Sequence, residues 1–332
     1  LAAQPIAPSA LHVTNGDATV PGLLGTGLMD HVLPWRDVLH EGPVPDVGDE
    51  ELRRVRAAFL AGEDADDIGT VAEFARRDAA LADNAAAGGY VLWFEADLYD
   101  QLQVVQILAR LGALGVEPGA ITLICIGEHP GIAHFGGLGE LNAAQLARLP
   151  DRAGAKLTDV ALARGARAWE ALRAPGPDGL NEIAATASGE LRFVAEAFDR
   201  LGREYPSTRD GLSLTERRLL AAIAEGAPTA GEAFVRGAAR EARPFLGDTW
   251  AFDRIGRMAA GAQPLLDTDA TRVDRLTRLR LTDTGRRVLD GAADHVALNG
   301  VDRWVGGVHL RGHDVGWRWH EGRETVVATP MG

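Results

Sequence analysis

The stretch GGYVLWFEADLYDQLQVVQILARL, residues 88–111, decides the fold. Two glycines open it, and Tyr90 to Phe94 is a run of aromatic and aliphatic residues suited to a strand buried on both faces. Glu95-Ala96-Asp97 then interrupts. From there Leu98, Leu102, Val105, Leu108 and Leu111 recur at three- and four-residue steps, the apolar stripe of a helix lying on a sheet. A strand passing directly into a helix is half of a βαβ unit.

Working outward, Ile121–Ile126 (ITLICI) repeats the buried-strand pattern and ends at Gly127-Glu128. Upstream, Leu11–Thr14 stops at Asn15-Gly16-Asp17, which predicts strand, tight turn and then a helix over Ala18–Leu28. His31–Val38 reads as a further extended segment, broken by Pro34. Glu50–Leu60 and Val71–Leu81 are charged and amphipathic, a helical insert or cap. The sum is an α/β fold: an open, mostly parallel, Rossmann-like sheet over residues 1–150.

Helices predicted at Ala143–Leu149, Asp159–Leu172, Leu180–Thr186 and Leu191–Glu204 make residues 151–210 a helical connector. Beyond it, Ser213–Ala224 opens with Ser213 and, three residues on, Glu216, the signature of a capping box. Helices over Ala230–Arg243 and Asp248–Ala260, the β-like Leu276–Leu281, a short helix at Thr284–Leu289 and a Trp-rich, β-like end at Val308–Val327 follow. That order predicts a winged-helix-like domain with a Trp-rich extension over 211–332.

The 332 residues include one cysteine, Cys125, and one lysine, Lys156. A single cysteine rules out an intramolecular disulfide and a thiolate metal cluster. No apolar run nears the roughly 20 residues of a membrane span, and the opening LAAQPIAPSALHVTNGD reads as a loose leader rather than a signal peptide. The expectation is a cytoplasmic protein with no membrane partner. The net charge of −13 is uneven: residues 1–210 hold 17 basic against 31 acidic groups, and residues 211–332 hold 17 against 16. Any nucleic-acid contact therefore belongs to the rear of the chain.

Ligands of open α/β sheets bind beyond the carboxyl ends of the strands. Ionisable groups concentrate there: Asn15 and Asp17; Trp35, Arg36, Asp37, His40 and Glu41; Glu95, Asp97, Asp100 and Gln101; and Glu128. His40 with Asp37 or Glu41 has the parts for acid and base work, Glu95 and Asp97 those of a second carboxylate pair, and Arg36 a charge suited to an anion. The plainer alternative is that Asp17 and Asp97 merely cap helices. Three carboxylates around one strand-to-helix junction nonetheless repel one another unless a proton or cation intervenes, so a divalent metal is a candidate cofactor. His40-Glu41 does not open an HExxH zinc site, since position 44 is Val44. Cys125 falls inside a buried strand and reads as core. GxGxxG, GxxxxGK[ST] and GxSxG are all missing.

In the rear domain, Thr271–Arg287 carries six arginines against two aspartates. Arg275, Arg278 and Arg280 are candidate contacts to DNA phosphates. The alternative is a packing module that meets only protein, because Asp248–Ala260 opens with an acid and is apolar enough to be buried.

The stretches LHVTNGD, VLPWRDVLHEGPVP, LWFEADLYDQLQ, ICIGEHPG, LSLTERRLL, FLGDT, LNGVDRWVGGVHL and WRW resemble bacterial proteins catalogued as domain of unknown function 1835. The resemblance spans most of the chain and implies a bacterial, cytosolic protein, but no reaction. Two functions follow as expectations. The first is a small-molecule enzyme, a hydrolase or group transferase, acting on a polar, anionic substrate. The second is a ligand-sensing regulator whose rear domain binds DNA or a protein.

Overall fold

The computed structural model describes residues 9–62, 67–86, 88–133 and 135–329; most of the expected leader lies outside them. The chain groups into two compact units, residues 1–198 with 306–308, and residues 199–305 with 309–332.

The first unit is built on a five-stranded sheet of β1 (Leu11–Asn15), β2 (Val32–Trp35), β3 (Tyr90–Glu95), β4 (Ile121–Ile126) and β5 (Gly154–Lys156), in the order β2-β1-β3-β4-β5. The first four are parallel and β5 is antiparallel to β4. Every residue from Tyr90 to Phe94 is buried, as the central position of β3 requires. Val91 and Trp93 of β3 and Ile124 and Ile126 of β4 pack on one face against Leu23, Leu138, Leu141 and Leu146. By strand alternation Glu95 points to that same face.

Helices α1 (Val20–Leu24), α2 (Asp49–Ala61), α3 (Asp67–Asp83) and α4 (Leu98–Ala113) connect the strands. The predicted helix over Ala18–Leu28 is cut to five residues, because Pro21 starts it and Gly25 and Gly27 break the continuation. β2 is likewise shorter than the extended segment expected; Pro34 lacks a ladder donor, which fits its place on the sheet edge. After β4 come α5 (Ala143–Leu146), α6 (Leu149–Ala153), α7 (Asp159–Arg173), α8 (Asp178–Ala185) and α9 (Val194–Gly202). The helix expected over Ala143–Leu149 ends at Leu146, and Pro150 sits in the first turn of a separate α6.

In the second unit, α10 (Leu214–Ala224) carries the expected box, with Ser213 accepting from the Glu216 amide and Glu216 accepting from the Ser213 amide. Next come α11 (Ala230–Ala238), α12 (Asp248–Ala260), the antiparallel pair β6 (Leu266–Thr268) and β7 (Leu279–Leu281), α13 (Asp283–Leu289) and α14 (His295–Asn299). α11 stops five residues short of expectation, and the chain beyond it delivers Glu241 to Arg200 and Arg218. Leu219, Leu220, Ile223, Ala233, Ala251, Ile255, Leu265 and Val288 form the core. The Trp-rich end is two hairpins, β8 (Val301–Val305) with β9 (Val308–Gly312) and β10 (Trp317–His320) with β11 (Thr325–Ala328). Among the described residues no helix is long and apolar enough to cross a membrane.

Candidate functional site

β1 lies between β2 and β3, so the chain turns one way from β1 into β2 and builds the rest of the sheet on the other side. The reversal opens a crevice at the carboxyl ends of β1 and β3, the position at which open α/β sheets take ligands. Asn15 ends one strand and Glu95 the other.

Three carboxylates and two amides meet there. Asp97 is the N-cap of α4, accepting from the Asp100 amide at 3.1 Å, so the capping role weighed from sequence is present. Asp100, one turn into the helix, is fully buried. Its Oδ1 accepts from Asn15 Nδ2 at 2.7 Å and its Oδ2 from the Glu95 amide at 2.5 Å. Gln101 donates to the Glu95 carbonyl at 2.6 Å. Glu95 Oε1 accepts from the Leu138 amide at 2.6 Å. The loop can approach this closely because residue 137 is glycine: its φ is +145°, and a Cβ there would lie 2.5 Å from Glu95 Oε2.

Burial, reinforced by the charge of Asp97, pushes the Glu95 carboxyl up to about 7, against the opposing pull of the Leu138 amide and Asn15. Asp100 is also held well above the usual carboxylate range, by burial first and then by Asp97 and Glu95. One oxygen from each of Glu95, Asp97 and Asp100 lies within 4.8 Å of the others. An all-oxygen set of this kind suits a hard divalent cation such as Mg²⁺ or Ca²⁺ better than zinc, whose sites usually include His nitrogen or Cys sulfur.

The other candidates are placed differently. Arg36, expected to offer its charge to an anion, is bound to Asp17 at 2.6 and 2.8 Å and also to Glu73; its guanidinium is already neutralised and fixes the loop after β1. Asp37, expected to orient His40, is buried, and its Oδ1 accepts from Arg56 at 2.8 and 3.0 Å. Arg56 also donates to the carbonyls of Val38, Glu41 and Pro43, so this ion pair shapes the 37–43 turn. Trp35, expected at the substrate, is fully buried, with its indole donating to Gln106 at 2.8 Å. Glu128 is exposed beyond β4.

His40 is buried and meets the ring of Tyr99 edge-on, with centroids 5.8 Å apart. Tyr99 adjoins Asp100 in sequence, and its phenol is pushed up to about 12, by burial first and with Asp100, Asp37 and Asp97 adding to it. Tyr99 therefore stands between the His40 turn and the carboxylates. Sequence reasoning missed it, together with Arg56, Gln103 and Gln106. The signal for the glutamines was available: Gln101, Gln103 and Gln106 are polar residues in an otherwise apolar helix. All three are buried, and Gln103 donates to the Asp37 carbonyl at 2.8 Å. Cys125, expected in the core, is half-buried on β4, its thiol pushed up to about 12 by burial while Gln101 donates to it at 3.3 Å.

No protein-family model matches this chain, and no curated protein matches it in sequence.

Proposed function

We propose that the α/β unit is an enzyme, a hydrolase or group transferase for a small polar substrate, with Glu95 as its proton-transfer group. One observation carries this reading: a carboxyl with its pKa near 7 lies at the crevice where the sheet reverses, and efficient acid–base catalysis needs a pKa near the working pH. Asp100 and Asn15 fix the main chain beneath Glu95, and the Leu138 amide fixes its carboxylate. With Arg36 neutralised, an anionic substrate would meet only negative charge. A hard divalent cation beside Asp97 and Asp100, with Glu95 left free to carry the proton, would reverse that sign and admit a phosphate or carboxylate. The resemblance to domain of unknown function 1835 names no reaction, so the reading stands on the crevice and on the raised Glu95 carboxyl within it.

The test is turnover of generic chromogenic phosphate and carboxylic esters, with and without Mg²⁺, as a function of pH. Activity should follow an ionisation near 7, and Glu95→Gln should lower kcat by about 100-fold or more. Absence of turnover with both ester classes, or an undiminished kcat in Glu95→Gln, removes the proposal.

For the second unit we propose a winged-helix architecture. Its support is the order α10, the isolated bridge between Thr229 and Arg278, α11, α12 and then the β6–β7 hairpin.

A further inference from the structure

The loop joining β6 to β7 is a basic surface feature of an acidic chain. Arg272, Arg275 and Arg278 are exposed on it, and among the described residues none of the three is ion-paired. Arg280, a candidate from sequence, differs: it is tied to Asp267 at 2.9 Å. Two acids share the loop. Asp269 stands at its start, and Asp274, also exposed, folds back on its own loop, accepting from the amides of Leu276 and Thr277 at 2.9 Å and from the Thr277 hydroxyl at 3.0 Å. At the tip, Leu276 is 79% exposed, which makes it the most exposed large hydrophobic residue described.

This loop is held in place. The Ala230 amide donates to the Thr277 carbonyl and the Gly231 amide to the Arg275 carbonyl, both at 3.0 Å, and Leu279 donates to the Pro228 carbonyl. The start of α11 thus fixes the arginine-bearing backbone, so little ordering entropy is lost when a partner binds. Of the helices around the loop, α13 adds the exposed Arg286 and Arg287, whereas among the described residues α11 and α12 add no free cation. Asp248 and Asp253 are exposed on α12, Arg257 is spent on Asp253 at 2.8 Å, and Arg236 of α11 is spent on Glu232.

We propose that the β6–β7 loop binds duplex DNA, placing Arg272, Arg275 and Arg278 on backbone phosphates at the minor groove with Leu276 directed into it. Three unneutralised guanidiniums on one loop can each meet a separate backbone phosphate, and because the net charge of −13 repels a polyanion at long range, the attraction is local and short-ranged. A lone apolar residue among arginines is the composition of a minor-groove wedge, whereas a protein interface would need a larger apolar centre. The A-form minor groove of RNA is wide and shallow and grips a narrow hairpin poorly. Since α12 carries acids on its exposed face, it does not read the major groove, and binding depends little on base sequence. The inference is independent of the enzymatic reading of the α/β unit.

The experiment is fluorescence anisotropy of a labelled A·T-rich duplex titrated with the full chain. Three phosphate contacts predict an affinity loss of about 40-fold between 50 and 200 mM salt. Combined Arg272→Ala, Arg275→Ala and Arg278→Ala should weaken binding at least tenfold at low salt, with the melting temperature unchanged because all three side chains lie in solvent. If that variant unfolds, Arg278→Glu alone should reduce the salt slope by about one. The proposal is overturned if the wild-type chain does not bind DNA at 50 mM salt, or if the folded variants bind like wild type. It is equally overturned if duplex RNA or polyglutamate competes as well as DNA does.

Discussion

The side-chain amide of Asn15 reaches across 2.7 Å to Asp100, tying the last residue of β1 to the first turn of α4, 85 positions away in sequence. That bond and the Glu95 amide satisfy both oxygens of a fully buried carboxyl. Asn15→Ala removes one donor and leaves an acceptor stranded. The loss should be about 1–3 kcal/mol, measured as a lower denaturant midpoint with an unchanged m-value.

The raised pKa of Glu95 makes stability depend on pH in a defined direction. An unfolded glutamate releases its proton near 4.5, whereas the folded one keeps it until about 7. The folded state therefore binds more protons in that window, and stability falls as pH rises from 4.5 to 7, then levels off. Glu95→Gln keeps an acceptor for the Leu138 amide and does not titrate. It should gain on wild type by up to about 3 kcal/mol above pH 7 and show little difference below pH 4.5, as read from urea unfolding at several pH values. A pH-independent difference would contradict the assigned ionisation.

Gly137→Ala should act on the same carboxyl from the other side. The new methyl would fall 2.5 Å from Glu95 Oε2 in a backbone conformation that L-residues avoid, so the loop must retreat and take the Leu138 amide with it. Losing a donor to the ionised form raises the Glu95 pKa further. An NMR titration should move the Glu95 midpoint above its wild-type value, and stability should fall by about 1–3 kcal/mol.

In the second unit the sign reverses. Burial works to raise the pKa of Glu204, but Arg200, Arg254 and Arg303 outweigh it and hold the group at about 2. Glu216 is held at about 2 against the same burial cost, with Arg303 foremost among the opposing charges. These groups contribute stability above the unfolded pKa near 4.5 that is lost as pH falls through about 2. Glu204→Gln leaves buried guanidiniums uncompensated and should cost about 3–5 kcal/mol at neutral pH. Thermal melts should show the variant to be less sensitive to acid than wild type between those two pKa values.

The parallel sheet was legible because β3 and β4 are long apolar runs and the stripe on α4 has a helical period. Legibility failed where local chemistry and partner choice diverge. The antiparallel β5 is three small or polar exposed residues and leaves no periodic trace. At the site, Glu95, Asp97, Asp100, Gln101 and Asn15 were all marked by their place at strand ends, and they do meet. Arg36, Asp37 and Trp35 were marked by the same logic but are consumed by Asp17, Arg56 and Gln106, because a charge or an indole N–H in a sequence does not reveal who neutralises it. Arg56 lies on a helix whose amphipathic pattern reads as surface, yet it is among the largest fully buried side chains. Only the tertiary fold brings it to the turn that it holds.

The short edge strand β5 has one more consequence. Its last residue, Lys156, is exposed and is the single lysine in the sequence. A charged side chain on an open strand discourages intermolecular pairing. It is also the one side-chain primary amine in the protein, so an amine-reactive dye or crosslinker aimed at side chains would attach at one known point on the rim of the sheet, far in sequence from the carboxylates beside Asn15.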